Sequence, residues 1–311
     1  MKLAMVFPGQ GSQSVGMMSA YAGLPGIDGV LDEAGRILGA EFIDLLRNGP
    51  SESLNLTTNT QPAMLTAGYA VYTAWRASGG AEPAVVAGHS LGEYAALAAI
   101  GSLDFADCLP LVRFRAEAMQ RAVPAGRGAM AAILNLDDDA VRAACAEAAA
   151  GGVVEAVNFN APGQVVIAGD KDAVSRAIEA CKAQGARRAM LLPVSAPFHS
   201  SLMRPAAVDL GVRLGQTEVR APSIDLINNV DVAINHEPAK IRDALVRQAS
   251  SPVRWAETMR KMADSGVTHI LECGPGKVLA ALARRCEPGV QCIALSDRAA
   301  LEGALSALRD G

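Results

Sequence analysis

The sequence predicts an α/β fold that contains an inserted βαββαβ unit. Short apolar runs at residues 2–7, 85–88 and 268–273 are each followed by a glycine-containing loop and then by a helical pattern. A Pro/Gly-rich stretch at 123–128 separates the first part of the chain from a regular alternation of strand and helix signals that ends near residue 192.

The composition excludes several classes of protein. Half of the 311 residues are hydrophobic and the net charge is −4, so a large core is expected and nucleic-acid binding is not. The six cysteines lack C-x-x-C spacing and the four histidines form no metal-binding pattern, which predicts reduced thiols, no metal and no cofactor. The apolar runs are too short to span a bilayer and no signal-peptide pattern precedes them, so we expect a cytoplasmic protein that does not bind membranes.

The strongest functional signal is a G-x-S-x-G pattern formed by Gly88, Ser90 and Gly92 between an apolar strand and an alanine-rich helix. Such a strand–turn–helix presents the serine hydroxyl above the sheet as a nucleophile. The amide of Leu91 opens the helix and is therefore a candidate donor to an oxyanion. The alternative interpretation is an ordinary crossover whose glycines serve only packing.

A polar loop rich in glycine follows the first strand, at residues 8–13. Gly9 and Gly11 allow backbone amides to converge on an anion. Since an oxyanion hole requires a second N–H from another loop, the amide of Gln10 is the candidate. A plain turn at the end of a strand is the alternative.

Three helical regions are expected before the Pro/Gly-rich stretch: residues 27–47, closed by a turn at 48–50; residues 63–77, started by Thr60-Gln61-Pro62; and residues 104–121. The third carries Arg113 and Arg115, which lie about 200° apart on a helix and cannot share a face. One of them is therefore expected to point inward, where a guanidinium needs a carboxylate or another anion. The alternative is two solvent-exposed arginines.

The inserted unit reads as strand–helix–strand–strand–helix–strand, the order of a ferredoxin-like fold. Its expected strands are 129–134, 153–158, 164–168 and 188–192, its helices are 137–150 and 170–184, and a turn is expected at 160–163. We place the inserted unit at 125–196 and the larger domain at 1–124 and 197–311.

His199 follows the inserted unit on a loop flanked by proline and is the candidate general base, because a serine nucleophile needs one and the order Ser-then-His suits an elbow fold. The other histidines are weaker candidates: His236 lies in a polar stretch, His269 precedes an apolar strand, and His89 adjoins Ser90 in a turn where neighbouring side chains diverge. Ser90 and His199 must then share one cleft.

The last third of the chain completes the predicted fold. A strand is expected at 223–227, a helix at 241–248 and a strand at 268–273. That strand runs into Gly-Pro-Gly-Lys at 274–277, which lacks the spacing of a phosphate-binding loop and is interpreted as structural.

The motifs also carry a resemblance that covers nearly the whole chain. Phe-Pro-Gly-Gln-Gly-Ser-Gln at 7–13, Gly-His-Ser-Leu-Gly-Glu-Tyr at 88–94, Phe-Arg at 114–115, Pro-Phe-His at 197–199 and Val-Arg-Gln at 246–248 occur in order. Together they resemble the malonyl-CoA:acyl carrier protein transacylase family of type II fatty-acid synthesis. The resemblance implies an α/β-hydrolase-like core with a mostly parallel sheet, plus the ferredoxin-like subdomain.

The resemblance implies a role for each matching residue. Ser90 would be the nucleophile and His199 the general base, the amides of Gln10 and Leu91 would bind the oxyanion, and Arg115 would bind the free carboxylate of malonate. Gln248 would orient His199 through its backbone carbonyl, in place of the acid of a hydrolase triad. The expected substrate-pocket residues are Phe198, His89 and Asn160, with Asn158 a weaker match; a bulky residue at 198 is associated with malonyl-specific members.

The implied reaction moves a malonyl group from malonyl-CoA to the phosphopantetheine thiol of acyl carrier protein through a malonyl-serine, and the expected enzyme is a monomer. Alternatives remain open: a serine hydrolase or thioesterase on the same elbow, an acyltransferase of polyketide synthesis, or a non-catalytic protein that keeps the fold.

Overall fold

The computed structural model describes residues 1–194 and 196–309, so Ser195 and the last two residues, which fall inside the expected domains, lie outside the described part. The described strands are β1 Leu3–Phe7, β2 Val85–Gly88, β3 Gly128–Leu134, β4 Val154–Ala161, β5 Gln164–Asp170, β6 Arg188–Leu191, β7 Asp225–Leu226, β8 His269–Glu272 and β9 Gln291–Ala294.

The α-helices follow in the same order: α1 Ile27–Leu38, α2 Ala40–Asn48, α3 Ser51–Leu54, α4 Thr57–Ala77, α5 Gly92–Ala99, α6 Phe105–Ala122, α7 Asp138–Ala149, α8 Lys171–Ala183, α9 Arg204–Gly215, α10 Pro238–Gln248, α11 Trp255–Asp264, α12 Val278–Cys286 and α13 Arg298–Arg309. None of the helices within 1–194 and 196–309 has the length and hydrophobicity that a bilayer crossing requires.

Five strands form a parallel sheet in the order β7-β2-β1-β8-β9. In its register Phe7 pairs with Gly88, and Val6 pairs with Glu272. Because parallel strands point the same way, the loops that follow β1, β2 and β8 leave the sheet at one edge, where ligands bind in open α/β sheets. The loop with Gln10 and the turn with Ser90 are therefore neighbours.

The parallel sheet is buried on both faces. Met5 and Phe7 pack into one core with residues of α4, α5 and α6, whereas Ala4 and Val6 pack into a second core with residues of α11 and α12. Since successive strand side chains point to opposite faces, β1 becomes a continuous run of buried apolar residues.

The other four strands form an antiparallel sheet in the order β4-β5-β3-β6. Ile133 and Ile167 lie on the face that packs against α7 and α8. Met130 and Val166 lie on the opposite face and contact the main core instead. The molecule is thus a mixed α/β structure with one mostly parallel and one antiparallel sheet.

Two predicted helices have different bounds in the structure. The expected helix at 27–47 is two helices, because Gly39 adopts φ 93° and ψ 156° and interrupts the hydrogen-bond ladder. The helix expected from residue 63 begins six residues earlier, at Thr57, and contains Pro62 in its interior. The Thr60 hydroxyl donates to the carbonyl of Leu54, which supports this first turn despite the N–H that proline lacks.

Two further predictions, one of a turn and one of a strand, have different bounds in the structure. Strand β4 continues through Ala161, so Asn160 lies in a strand and the turn before β5 is reduced to Pro162 and Gly163. Antiparallel pairing with β5 outweighs the local turn preference of the asparagine. The strand expected at 223–227 is shorter in the structure: β7 covers Asp225–Leu226 and pairs with β2, while Ile227 forms an isolated bridge with Ile234.

The close contact at the edge of the parallel sheet predicts a large effect of Gly92→Ala. A Cβ atom at position 92 would lie 2.0 Å from the Phe7 carbonyl oxygen, so β1 and α5 would have to separate, and we expect the free energy of unfolding to fall by about 1–3 kcal/mol. Urea denaturation followed by circular dichroism measures this.

The matched control is Gly29→Ala in α1, where a Cβ atom meets nothing within 4 Å. It should raise the free energy of unfolding by up to about 1 kcal/mol, through helix propensity alone. Equal stability of the two variants would contradict the packing interpretation.

Candidate functional site

The turn between β2 and α5 holds Ser90 in a left-handed backbone conformation, with φ 54°. This conformation costs a residue with a side chain of order 1–3 kcal/mol. The flanking glycines make the turn possible, because a Cβ at Gly88 would lie 1.9 Å from the carbonyl carbon of Gly92. The G-x-S-x-G spacing is therefore a packing requirement of this turn.

Asn229 ties this turn to the loop after β7. Its Oδ1 accepts from the Ser90 amide at 2.7 Å, and its Nδ2 donates to the Gly88 carbonyl at 2.7 Å. The side chain thus contacts the backbone on both sides of His89 and stabilises the strained conformation of Ser90. Sequence reasoning assigned no role to Asn229, since neither hydrogen bond has a local signal.

His199 lies against Ser90 although 109 positions separate them, with its Nε2 2.7 Å from the Ser90 Oγ. The other ring nitrogen, Nδ1, lies 2.8 Å from the backbone carbonyl oxygen of Gln248. A carbonyl oxygen can only accept, so we assign the ring proton to Nδ1, which leaves Nε2 free to accept from the Ser90 hydroxyl. His199 itself has φ 66°, a second left-handed residue in the site.

The surroundings keep this imidazole neutral. His199 is 3% exposed, and burial together with the nearby Arg115 cation lowers its pKa to about 3. Protonation is therefore unfavourable over the whole neutral range, so the resting side chain is a base.

Arg115 is the arginine that points inward. Its side chain is 1% exposed, whereas Arg113 is half-buried, so the prediction that one of the two is buried is confirmed. Its Nη1 donates to the Gln61 Oε1 at 2.5 Å, and its Nη2 donates to the Gln248 Oε1 at 2.9 Å and to the Ser90 Oγ at 3.3 Å.

The positive charge of Arg115 has no direct carboxylate partner. No Asp or Glu oxygen of residues 1–194 and 196–309 lies within 4 Å of its guanidinium. Its polar contacts are neutral oxygens, and its guanidinium carbon lies 5.3 Å from the centre of the Tyr94 ring. A buried cation in such surroundings is suited to bind an anion that enters from solution.

Glu93 is the buried acid nearest to this cation, and Gln248 separates the two. The Glu93 Oε2 accepts from the Gln248 Nε2 at 2.9 Å and from the Asn229 amide at 3.0 Å. Burial raises the Glu93 pKa to about 7, although these two hydrogen bonds oppose the shift. Sequence reasoning missed Glu93; an acid in an otherwise apolar helix, three residues after the serine, was the available signal.

These residues surround a cleft of about 230 Å³ between the two sheets. The predicted site residues that line it are Gln10, His89, Ser90, Arg115, Asn158, Asn160, Phe198 and His199. Leu91 and Gln248 are buried beside it. Across the cleft the His89 Nε2 and the Asn160 Oδ1 lie 2.8 Å apart, so one hydrogen bond links the elbow to the antiparallel sheet.

The structure also brings in lining residues that sequence reasoning missed or read only as fold signals. They are chiefly Gln61 and Met119 from α4 and α6, Met130 and Val166 from the antiparallel sheet, and Val278, Leu279 and Leu282 from α12. Apart from Gln61 these residues are apolar and carry no motif, so only the cavity that they share identifies them.

The expected oxyanion donors remain available. No acceptor for the amides of Gln10 and Leu91 is found in the described part of the chain. The Gln10 side chain is fixed instead, since its Oε1 accepts from the Thr57 hydroxyl at 2.6 Å. Thr57 in turn accepts from Gln61 Nε2 at 3.1 Å, which connects this loop to a partner of Arg115.

The Gly-Pro-Gly-Lys loop at 274–277 precedes α12, but the first amides of that helix are already occupied. The buried carboxylate of Glu272 accepts from the amides of Leu279 and Ala280 at 3.0 and 2.8 Å. This helix N-terminus is thus capped from within the chain.

A serine at such an elbow, paired with a neutral buried histidine, is the arrangement of enzymes that form acyl-serine esters. Residues 4–292 match the family model described as the acyl transferase domain. The chain belongs to this family.

Individual relatives match over almost the full length. The malonyl CoA-acyl carrier protein transacylase of Escherichia coli (strain K12) is 51% identical over 305 residues, which cover 98% of this chain and 99% of that protein. The crystal structure of an acyl-carrier-protein S-malonyltransferase from Burkholderia pseudomallei 1710b is 59% identical with a TM-score of 0.97, and the match covers 98% of this chain and 100% of that one.

A third match is a malonyl-transacylase solved in complex with its type II PKS acyl-carrier protein. It is 47% identical with a TM-score of 0.97, and the match covers 99% of this chain and 100% of that one.

The buried environment of His199 predicts that the folded protein keeps its imidazole neutral from pH 8 down to pH 5. A lowered pKa means that the ring gains a proton only far below the ordinary histidine value of about 6.5. NMR of nitrogen-15-labelled histidine should show one proton on Nδ1 and an unprotonated Nε2 throughout this range. The urea-unfolded chain is the control and should titrate near pH 6.5; a midpoint near 6.5 in the folded chain would contradict the assignment.

Proposed function

We propose that this protein transfers a malonyl group from malonyl-CoA to the phosphopantetheine thiol of an acyl carrier protein, with Ser90 as the nucleophile. The observation that carries the proposal is the buried Arg115 guanidinium, which lies 3.3 Å from the Ser90 Oγ and has no carboxylate within 4 Å in the described chain. An acyl group that ends in a carboxylate supplies the missing anion. The names of the two relatives and of the complex support the same substrate and partner.

In the first half-reaction, His199 accepts the Ser90 proton at Nε2 while the serine oxygen attacks the malonyl thioester carbonyl. The Gln248 carbonyl stabilises the imidazolium through Nδ1–H, and the free amides of Gln10 and Leu91 stabilise the oxyanion. The tetrahedral intermediate then collapses, the carbon–sulfur bond breaks, and His199 returns its proton to the departing coenzyme A thiolate. The products are malonyl-Ser90 and coenzyme A.

In the second half-reaction, the carrier's phosphopantetheine thiol enters the same cleft and gives its proton to His199 as its sulfur attacks the ester carbonyl. Collapse breaks the ester bond and protonates the Ser90 oxygen. The free enzyme is restored and malonyl-carrier is released. No cofactor is needed, since both acyl bonds are broken by nucleophilic attack.

Arg115 has two effects in this scheme. A malonyl carboxylate paired with its guanidinium satisfies the buried charge, whereas an acyl chain without a carboxylate leaves that charge unpaired. The same cation lowers the pKa of His199. A carboxylate on Arg115 therefore strengthens the base at the moment when the correct substrate is bound.

Phe198 supports malonyl over methylmalonyl as the substrate. The residue lines the cleft directly before His199. A bulky ring next to the base leaves little room for a branch at the second carbon of the acyl group.

The described geometry disfavours the hydrolase alternative. A hydrolase triad uses an acid to orient the histidine, whereas here the partner of the His199 Nδ1 is a neutral backbone carbonyl. The polyketide alternative differs from the proposal only in the carrier protein that accepts the malonyl group. One relative was solved in complex with a type II PKS acyl-carrier protein. Both carrier types accept malonyl on the same thiol, and a comparison of transfer rates to each distinguishes them.

The proposal extends to the architecture. We assign residues 1–124 and 197–311 to an α/β-hydrolase-like catalytic subdomain and residues 125–196 to a ferredoxin-like subdomain. The sheet order β4-β5-β3-β6 with α7 and α8 on one face supports the second assignment. All of the proposed site residues come from one chain, so a monomer is the expected working unit.

Ser90→Ala should abolish the covalent intermediate. Intact-protein mass spectrometry of the unaltered protein after malonyl-CoA addition should show one malonyl adduct, which a carrier then removes. The variant should show none, because no oxygen remains at this position to form the ester. A matched control is Ser102→Ala, a buried serine outside the cleft that donates to the Arg220 carbonyl, which should still form the adduct. An adduct on Ser90→Ala would place the nucleophile elsewhere.

Arg115→Ala should lower kcat/KM for malonyl-CoA by on the order of 100-fold, equivalent to about 3 kcal/mol, because the substrate carboxylate loses its buried partner. Acetyl-CoA should be used as well as before or better, because removal of the cation also strengthens His199 as a base. Steady-state kinetics with both thioesters measure this.

The control is Arg113→Ala, on the same helix and not in contact with the cleft, which should keep the malonyl preference. Malonyl transfer that survives intact in Arg115→Ala would show that the carboxylate binds elsewhere.

A further inference from the structure

We propose that Glu93 is a positioning residue for the transfer reaction, because one buried carboxylate oxygen fixes both the Ser90 elbow and the Gln248 residue that orients His199. This inference rests on the proposed function for its catalytic readout, and on the hydrogen bonds of Glu93 for its physical basis. Glu93, Asn229 and Gln248 are called the Glu93 network below.

The network is inside the protein and behind the cleft. Glu93 is 1% exposed, and Asn229 and Gln248 are fully buried. None of the three is among the described residues that line the cleft. Glu93 therefore cannot act on the substrate directly, and any effect on the reaction passes through its two hydrogen-bond partners.

The first branch of the network leads to the nucleophile. The Asn229 amide donates to the Glu93 Oε2 at 3.0 Å, and the Asn229 side chain contacts the Ser90 amide and the Gly88 carbonyl at 2.7 Å each. Because the Ser90 amide is satisfied in this way, the next amide in the turn, that of Leu91, is the one left for the oxyanion.

The second branch leads to the base. The Gln248 Nε2 donates to the Glu93 Oε2 at 2.9 Å and to the Ser90 carbonyl at 3.0 Å, while its Oε1 accepts from Arg115 at 2.9 Å. Because the amide nitrogen faces two acceptors and the amide oxygen faces a donor, only one orientation of the Gln248 amide satisfies all three hydrogen bonds. Gln248 is the last residue of α10, so an anchored side chain also fixes the carbonyl that holds the His199 Nδ1.

The same arrangement separates the two buried charges. The Gln248 amide bridges Glu93 and Arg115, so the acid does not cover the guanidinium. A direct ion pair would occupy the group that the substrate carboxylate needs. The network therefore keeps Arg115 fixed and available.

Two substitutions separate the hydrogen bonds from the other properties of this side chain. Glu93→Gln keeps an oxygen that accepts from both donors, with its amide nitrogen in the place of the Glu93 Oε1. Glu93→Met keeps an unbranched side chain of similar size but accepts no such bond. Single-turnover formation of malonyl-Ser90 at several malonyl-CoA concentrations gives the rate and the half-saturation concentration for each variant.

We expect Glu93→Met to lower the acylation rate at least thirtyfold, because misplacement of reacting groups by about 1 Å costs on the order of 100-fold. Its half-saturation concentration should stay within threefold, since the cleft lining is intact. Glu93→Gln should restore the rate to at least a third of that of the unaltered protein. The NMR signal of the His199 Nδ1 proton should persist in Glu93→Gln and broaden or shift in Glu93→Met.

A core variant controls for loss of stability. Leu301→Ala removes a fully buried side chain of α13 and should lower the free energy of unfolding without changing the acylation rate of the folded fraction. An unchanged acylation rate in Glu93→Met overturns the proposal, as does an equal loss of rate in Leu301→Ala. Loss of activity in Glu93→Gln to the level of Glu93→Met also overturns it, in favour of a requirement for charge.

If Glu93→Met does not fold, a measurement on the unaltered chain decides. The side-chain amide protons of Gln248 should exchange with solvent as slowly as those of the core, and rapid exchange would refute the network. Absence of any malonyl adduct in the unaltered protein would be a failure of the proposed function alone, because the NMR and exchange measurements test the network without substrate.

Discussion

The hydrogen bond between the Ser90 hydroxyl and the His199 Nε2 joins two segments that are 109 positions apart in the chain. Both residues have left-handed backbone conformations, which are unfavourable for residues with side chains. Each is held by a polar partner, Asn229 at the elbow and the Gln248 carbonyl at the imidazole. Strain at Ser90 and His199 is offset by hydrogen bonds to neutral partners around them.

The two buried ionisable groups of the site do not form a direct ion pair. Arg115 is a buried cation whose polar contacts are neutral oxygens, and Glu93 is a buried acid that lies on the far side of the Gln248 amide. A direct ion pair between Glu93 and Arg115 would be electrostatically more favourable, but it would occupy the guanidinium that we propose binds the substrate carboxylate. Together with burial, the unpaired cation also lowers the pKa of His199 and so keeps the imidazole neutral.

The cleft exists because the two sheets meet at the edge where β1 and β2 end. Gln10 and Ser90 come to this edge through the register of the parallel sheet, in which Phe7 pairs with Gly88. Asn160 comes from β4 of the antiparallel sheet and reaches His89 across the gap.

Several elements were predictable because their signals are local. The glycines around Ser90, the apolar run of β1 and the helix that carries Arg115 follow from spacing and periodicity within a few residues. Helix geometry predicted that Arg113 and Arg115 do not share a face, whereas the structure decided that Arg115 is the buried one. The order of the strands in each sheet required the tertiary structure, because the residues of one strand do not show which other strand pairs with it.

Other residues had local signals that pointed elsewhere. Pro62 suggested the start of a helix and Asn160 a turn, yet packing of α4 and pairing of β4 with β5 override both preferences. Sequence analysis assigned no role to Glu93 or Asn229, since their hydrogen bonds join residues 136 and 139 positions apart in the chain. Spacing along the chain was enough to predict the strand–turn–helix at Ser90 and the helices around it, because those depend on short-range sterics. The tertiary structure alone decided which buried polar groups meet, because the low-dielectric interior makes each such group depend on partners that only folding brings within 3 Å.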